Sequence, residues 1–224
     1  MNPTFEYEQK LWNNNVRFVA GADEVGRGAF AGPVVAAAVS FDSSLSSLSS
    51  WLRSQKAAGN WMSQIRDSKK MSPKQREITA KYIKENCYWG IGEASVAIIN
   101  KLGIVEAVNM AFRKAILELK FHTSKVDHLL IDAFYIPYVK GIERKNQTAL
   151  IKGDAKSISI AAASIIAKVY RDELMANLSR KFKEYKWQKN AGYGTKEHRN
   201  AILALGSTKQ HRTQYVNTFL AKVT

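Results

Sequence analysis

The stretch PVVAAAVSF, residues 33–41, constrains the fold more than any other part of the chain. It is a continuous run of small apolar side chains, without the alternation of a strand that has one wet face. It therefore predicts a buried strand inside a sheet. Just before it, residues 18–23 read as a partner strand that gives way to Gly26-Arg27-Gly28. Two acids, Asp23 and Glu24, stand at the end of that strand. Neighbours on a strand point to opposite faces, so both serve one site only if the strand ends there.

Ser72-Pro73-Lys74-Gln75 combines a hydroxyl N-cap, a proline at the first helical position and a glutamine three residues after the cap. It predicts a helix reaching about residue 86. Residues 88–96, YWGIGEASV, alternate like a strand. An amphipathic helix is expected over residues 100–121, with Ile104, Val108, Phe112 and Leu119 on one face. VDHLLID predicts a short strand ending in Asp132, and Ala149-Leu150-Ile151 another that leads into KGDAKS. A long helix should cover residues 157–185, and two short helical patterns follow over 195–224. Leu45, Leu48, Trp51 and Leu52 recur at helical spacing in a serine-rich segment and predict a short surface helix. This order predicts an α/β domain over residues 1–185, a central mixed sheet flanked by helices. A small helical region, residues 186–224, packs on it.

Lys and Arg number 34 against 19 Asp and Glu, a net charge of +15 spread from Arg53 to Lys222. Such a surface favours a polyanion, nucleic acid or an acidic membrane, or marks simply a soluble basic protein. No segment approaches the ~18 consecutive apolar residues of a membrane span. The opening MNPTFEYEQKLW lacks the pattern of a signal peptide. A single cysteine, Cys87, excludes an internal disulfide and a cysteine-rich zinc site. A cytoplasmic setting is expected.

In so basic a chain, the placement of four acids stands out. Asp23 and Glu24 end one strand, Asp132 ends another, and Asp154 opens the long helix. Ligand crevices open at the strand ends of α/β sheets. Carboxylates meeting there repel one another unless a cation sits between them. Hard oxygen donors suit Mg2+ or Mn2+, and two such ions would clamp an in-line phosphoryl displacement. Other readings remain open: Asp154 as a helix N-terminal anion, Asp132 as a turn residue, and Asp23 or Glu24 paired with Arg27. Asp172, the rival to Asp154, lies roughly 22 Å further along the same helix at ~1.5 Å per residue, so the two cannot share an ion pair. Gly26 and Gly28 allow close backbone approach to a ligand or a tight turn.

AGADEVGRGAFAGPVVAAAV, DSKKMSP, LLIDA, IKGDAKSISIAAASIIAKVYRDELM and GYGTKEH resemble, in order, the motifs of bacterial ribonuclease HII, from about residue 17 to residue 215. The resemblance implies a ribonuclease H-like fold and divalent-metal-dependent cleavage of RNA in RNA–DNA hybrids. It also implies incision 5′ to a single ribonucleotide in duplex DNA, leaving 3′-hydroxyl and 5′-phosphate ends. Asp23, Glu24, Asp132 and Asp154 fall on the family's catalytic, metal-binding carboxylates. Gly26-Arg27-Gly28 falls on the loop that meets the ribose 2′-hydroxyl, Tyr193 on the tyrosine that stacks at the RNA–DNA junction, and Lys69 on a phosphate contact. His198 and His211 are expected in structural roles.

Three departures stand out. Ala133-Phe134 follows Asp132 where the family usually has glycine, the segment 40–65 is longer than in most relatives, and no clamp-binding peptide is recognisable in the final residues. A monomer is expected. The alternatives are a catalytically silent hybrid binder and a DNA junction resolvase of the same fold.

Overall fold

Every residue of strand β2, Val34–Ser40, is buried. In the computed structural model, which describes residues 2–41, 61–123 and 125–223, this strand is sandwiched between helices. The helix expected around Leu45 to Leu52 lies outside the described residues. Strand β1, Val19–Val25, pairs antiparallel with β2, which pairs antiparallel with β3, Tyr88–Ala94. On its other side β1 pairs parallel with β4, His128–Asp132, and β4 with β5, Gln147–Leu150. The order is β3-β2-β1-β4-β5, a mixed sheet. The β1–β2 link, residues 26–33, is a short one that suits an antiparallel pair, while the chain between β2 and β3 carries the helix Pro73–Asn86 and that between β3 and β4 the helix Ile104–Thr123.

Alternate residues of β2 feed two cores. Val34, Ala36 and Ala38 face one core with Phe112, Ala115 and Leu119 of a helix at Ile104–Thr123. Val35, Ala37 and Val39 face the other, with Ile158, Ala162 and Ile165 of the long helix Ile158–Lys181 and with Ile83 of Pro73–Asn86. The small side chains of β2 let both helical layers come close. Gly21 of β1 goes further: a Cβ there would lie 2.2 Å from the Ser159 carbonyl carbon, so the long helix begins directly against the strand that carries the acids.

In chain order the helices are α1 Glu6–Asn13, α2 Pro73–Asn86, α3 Val96–Leu102, α4 Ile104–Thr123, α5 Ile158–Lys181, α6 Trp187–Asn190, α7 Lys196–Leu205 and α8 Thr213–Leu220. The capping box predicted at Ser72 and Gln75 is formed. The single helix expected over 100–121 is instead two, α3 and α4, divided at Gly103 with φ 81°. The long helix stops at Lys181 rather than near Tyr185, because Phe182 leaves helical geometry and a 3-10 turn follows. Helix α1 is not apparent in the sequence pattern. Its anchor is the buried Glu8, whose Oε1 accepts from Ser157 Oγ at 2.6 Å and from Ser159 N at 3.0 Å.

Beyond residue 185, Trp187, Ile202 and Val216 close a third core with Tyr185, Ala31 and Met175. The C-terminal helices thus pack on the loop that follows β1.

Candidate active site

The pairing of β1 with β4 ends at Ala22 and Ile131, while its pairing with β2 continues to Val25 and Val35. The expectation that β1 ends at Asp23 is therefore corrected: it continues two residues past Asp23 but loses one partner there. The parting of two parallel strands opens a crevice at their carboxyl ends. Asp23 and Glu24 both line a cavity of about 440 Å³ in that crevice, with Gly26, Arg27, Gly28, Lys69, Asp132 and Tyr193. Asp154 is not among these lining residues, but its Oδ2 lies 3.2 Å from the Nζ of Lys69, which is. The backbone N–H of Gly153 donates to Asp132 Oδ1 at 2.6 Å, tying the ends of β4 and of the Asp154 turn together.

These acids strain against one another. Burial, with repulsion from Asp132 and Asp154, pushes the Asp23 carboxyl up to about 7, although Ser164 and the Glu24 N–H donate to it. Burial and Asp23 push Glu24 up to about 8, against the pull of Arg27, whose Nη1 is 3.9 Å away. Asp132 is raised by burial and by Asp154, with Gly153 opposing. Burial would lower Lys69, but Asp154 and Asp23 outweigh it and hold the ammonium above its ordinary range. Among the described residues, no three His, Cys, Asp or Glu side chains form a preformed metal cage. The donors are nonetheless right in kind for a hard divalent cation, and their mutual repulsion is what such a cation relieves. A lysine already meets Asp154 with positive charge. The residues fit the metal.

The loop after β1 turns through Gly26 at φ 92°, and a Cβ there would fall 2.1 Å from Arg171 Nε. Gly28 lines the cavity, and a Cβ there would meet no heavy atom within 4 Å. The Arg27 guanidinium lies 5.2 Å from the centre of the Phe134 ring, which packs edge-on against Phe112. Tyr193 is held between Gly192, at φ 78°, and Gly194, which rests on the Phe30 ring.

Two histidines fix Tyr193 from behind. Trp187 Nε1 donates to His198 Nε2, so His198 carries its proton on Nδ1 and donates to the Tyr193 carbonyl at 3.0 Å. Thr208 N donates to His211 Nδ1 at 2.9 Å, leaving His211 Nε2 to donate to His198. Both rings are buried and neutral by this bonding pattern.

The family model of ribonuclease HII matches residues 20–218. The chain belongs to the ribonuclease HII family. It is 42% identical over 216 residues to the ribonuclease HII of Synechococcus sp. (strain JA-3-3Ab), covering 96% of this chain and 89% of that protein. With the ribonuclease HII of Pelagibacter ubique (strain HTCC1062) it shares 42% over 200 residues, covering 89% and 96%. Its fold is similar to that of the structure of the PCNA:RNase HII complex from Archaeoglobus fulgidus, with TM-score 0.66 and 22% identity, covering 89% of this chain and 94% of the other. A structure of Bst-RNase HIII in complex with Mn2+ also has TM-score 0.66, at 20% identity, covering 92% and 70%. As a ribonuclease HII, the chain is a metal-dependent ribonuclease H hydrolase.

Several residues at this ribonuclease HII crevice escaped sequence reasoning. Ser68 and Ser164, 3.0 Å apart, underlie Asp23 and Lys69. Lys168 also lines the cavity, its Nζ 2.7 Å from Asp172 Oδ1, while Asp172 Oδ2 is 3.4 Å from Arg76. Asp172 is thus a counter-ion outside the acid cavity. Its (i, i+4) spacing from Lys168 was the signal available. The buried Arg171 and Arg212 had none.

Proposed function

We propose that this chain cleaves the RNA strand of RNA–DNA hybrids and incises duplex DNA 5′ to a single embedded ribonucleotide, leaving 3′-hydroxyl and 5′-phosphate ends. Asp23, Glu24, Asp132 and Asp154 hold Mg2+ or Mn2+. When bound, the ions supply positive charge for the developing phosphoryl oxyanion and acidify the attacking water. The Gly153 N–H orients Asp132 with one oxygen free. The Glu24 N–H, on Asp23 Oδ1 at 2.7 Å, and the Ser164 hydroxyl orient the Asp23 carboxyl. Lys69, with its side chain 76% exposed, meets a substrate phosphate. Tyr193 stacks at the junction between ribose and deoxyribose.

One observation carries the ribose reading: Gly28 offers unshielded backbone on the wall of the acid cavity. Only RNA has a 2′-hydroxyl for such a backbone to meet. In this reading residues 1–185 form the catalytic domain, residues 186–224 a small helical region packed on it, and the working unit is a cytoplasmic monomer. No described helix is long and apolar enough to cross a membrane.

The test is incision of a duplex containing one ribonucleotide, with and without divalent ion, beside an all-DNA duplex. Cleavage at the 5′ side of the ribonucleotide only with the ion is expected, and Asp132→Asn should abolish it while retaining substrate binding. Cleavage of the all-DNA duplex, or ion-independent cleavage, overturns the reading.

A further inference from the structure

The loop that carries Gly26-Arg27-Gly28 is held from behind by one side chain of the C-terminal region. Arg212 is fully buried, yet no carboxylate pairs with it among its described contacts. Its Nη1 donates to the Arg27 carbonyl at 2.8 Å and its Nε to the Gly32 carbonyl at 3.0 Å. The guanidinium fork therefore spans the two ends of the turn. Tyr215 Oη adds a second donor to the Arg27 carbonyl at 2.8 Å. The main chain is laced to the same loop, with Arg212 N donating to Phe30 O at 2.7 Å and Gly32 N to Gln210 O at 2.9 Å.

Burying this guanidinium is costly. Arg171 is also fully buried beside it, burial and that neighbour push Arg212 down to about 10, and its Nη2 has no partner among the described residues. Arg171 spends its donors in the same way, on the carbonyls of Ala31, Pro33 and Ala191. A merely space-filling position would be met more cheaply by an apolar side chain. What the fork alone supplies is two donors in fixed relation, one on the Gly32 carbonyl and one on the Arg27 carbonyl, which sets the height of the latter, one residue from Gly26 and from Gly28.

We infer that Arg212, assisted by Tyr215, is a positioning residue for ribose discrimination: it fixes the backbone of Gly26-Arg27-Gly28 at the distance from the acids where a 2′-hydroxyl is read. This rests on the proposed ribonucleotide incision. Arg212 touches no substrate. It makes the C-terminal helical region part of the specificity apparatus.

The experiment compares wild type, Arg212→Lys and Tyr215→Phe on a duplex with one ribonucleotide in Mg2+, measuring kcat, KM, melting temperature and the Kd for an all-DNA duplex. Lysine keeps the charge but not the fork. Arg212→Lys is expected to lower kcat at least tenfold while KM and the all-DNA Kd stay within twofold. A kcat within twofold of wild type overturns the inference, as does an equal loss of kcat and of all-DNA affinity in a variant that melts like wild type. If Arg212→Lys melts more than ten degrees lower, Tyr215→Phe decides. A kcat lowered twofold or more at unchanged KM upholds the role, and an unchanged kcat overturns it. Failure of the wild type itself to incise counts instead against the proposed function.

Discussion

The ammonium of Lys69 lies 3.2 Å from Asp154 Oδ2, and Lys69 itself lines the cavity with Asp23, Glu24 and Asp132. It occupies charge that a divalent cation would otherwise claim. Replacing it with methionine is expected to lower the half-saturating Mg2+ concentration about threefold, the modest scale of an exposed pair, while raising KM for a hybrid substrate. Activity titrated against Mg2+ and against substrate checks both. A raised Mg2+ requirement in Lys69→Met would show that the lysine does not compete with the metal.

Gly26 and Gly28 should respond differently to alanine. At Gly26 the added carbon meets Arg171 Nε at 2.1 Å on a backbone with φ 92°, so Gly26→Ala is expected to cost about 2 kcal/mol or more of stability. At Gly28, a lining residue of the cavity, the carbon enters open space. Gly28→Ala should melt within about two degrees of wild type and still lose at least tenfold in kcat/KM on a single-ribonucleotide duplex. Thermal melts beside kinetics separate the two, and retained activity in Gly28→Ala would remove the loop from substrate contact.

His211 should make the fold acid-sensitive. Burial, then repulsion from His198, holds its pKa down at about 4, below the ordinary 6.5. The folded state therefore binds this proton less readily than the unfolded chain. Its contribution is complete above pH 6.5 and is lost as pH falls toward 4, on the order of 3 kcal/mol in all. Denaturant unfolding at pH 7.5 and pH 5 should show a smaller difference for His211→Gln than for wild type. Identical pH slopes would place the acid sensitivity elsewhere.

Ala133 occupies the left-handed region at φ 66°, one residue beyond Asp132. An L side chain costs about 1–2 kcal/mol there, and glycine in the unfolded chain returns about 0.5–1 kcal/mol of that. Ala133→Gly is expected to stabilise the protein by about 0.5–1 kcal/mol, raising the melting temperature by roughly 1–4 °C. A lower melting temperature would mean that the alanine methyl is a packing contact.

The parts of this molecule governed by local rules were legible in the sequence. The run at residues 33–41 announced a two-faced buried strand, and Ser72 with Gln75 announced a helix start. Asp23, Glu24 and Asp132, read as lying near strand ends, do line one cavity, and the ribonuclease HII motifs pointed to the family. What was hidden depends on contacts between residues distant in sequence. Glu8 anchors a helix through serines about 150 positions away, and Arg212 grips a loop 185 positions away. A charged residue buried by such contacts looks, in one dimension, like any surface charge. The break at Gly103 was visible as a glycine, but the apolar stripe read from Ile104 onward says nothing of where the helix before it ends. The continuation of β1 past Asp23 was hidden because a strand can lose one neighbour while keeping the other.

The sheet order places β1 between β2 and β4, strands separated by nearly ninety residues of chain. On the ribosome, Asp23 and Glu24 emerge early and wait for β4 to dock beside them and for α5 to settle on Gly21. Until residue 154 has left the exit tunnel, Asp154 cannot join Asp23, Glu24 and Asp132 at the proposed site. Synthesis and assembly thus delay any nuclease activity until the enzyme's framework is nearly finished.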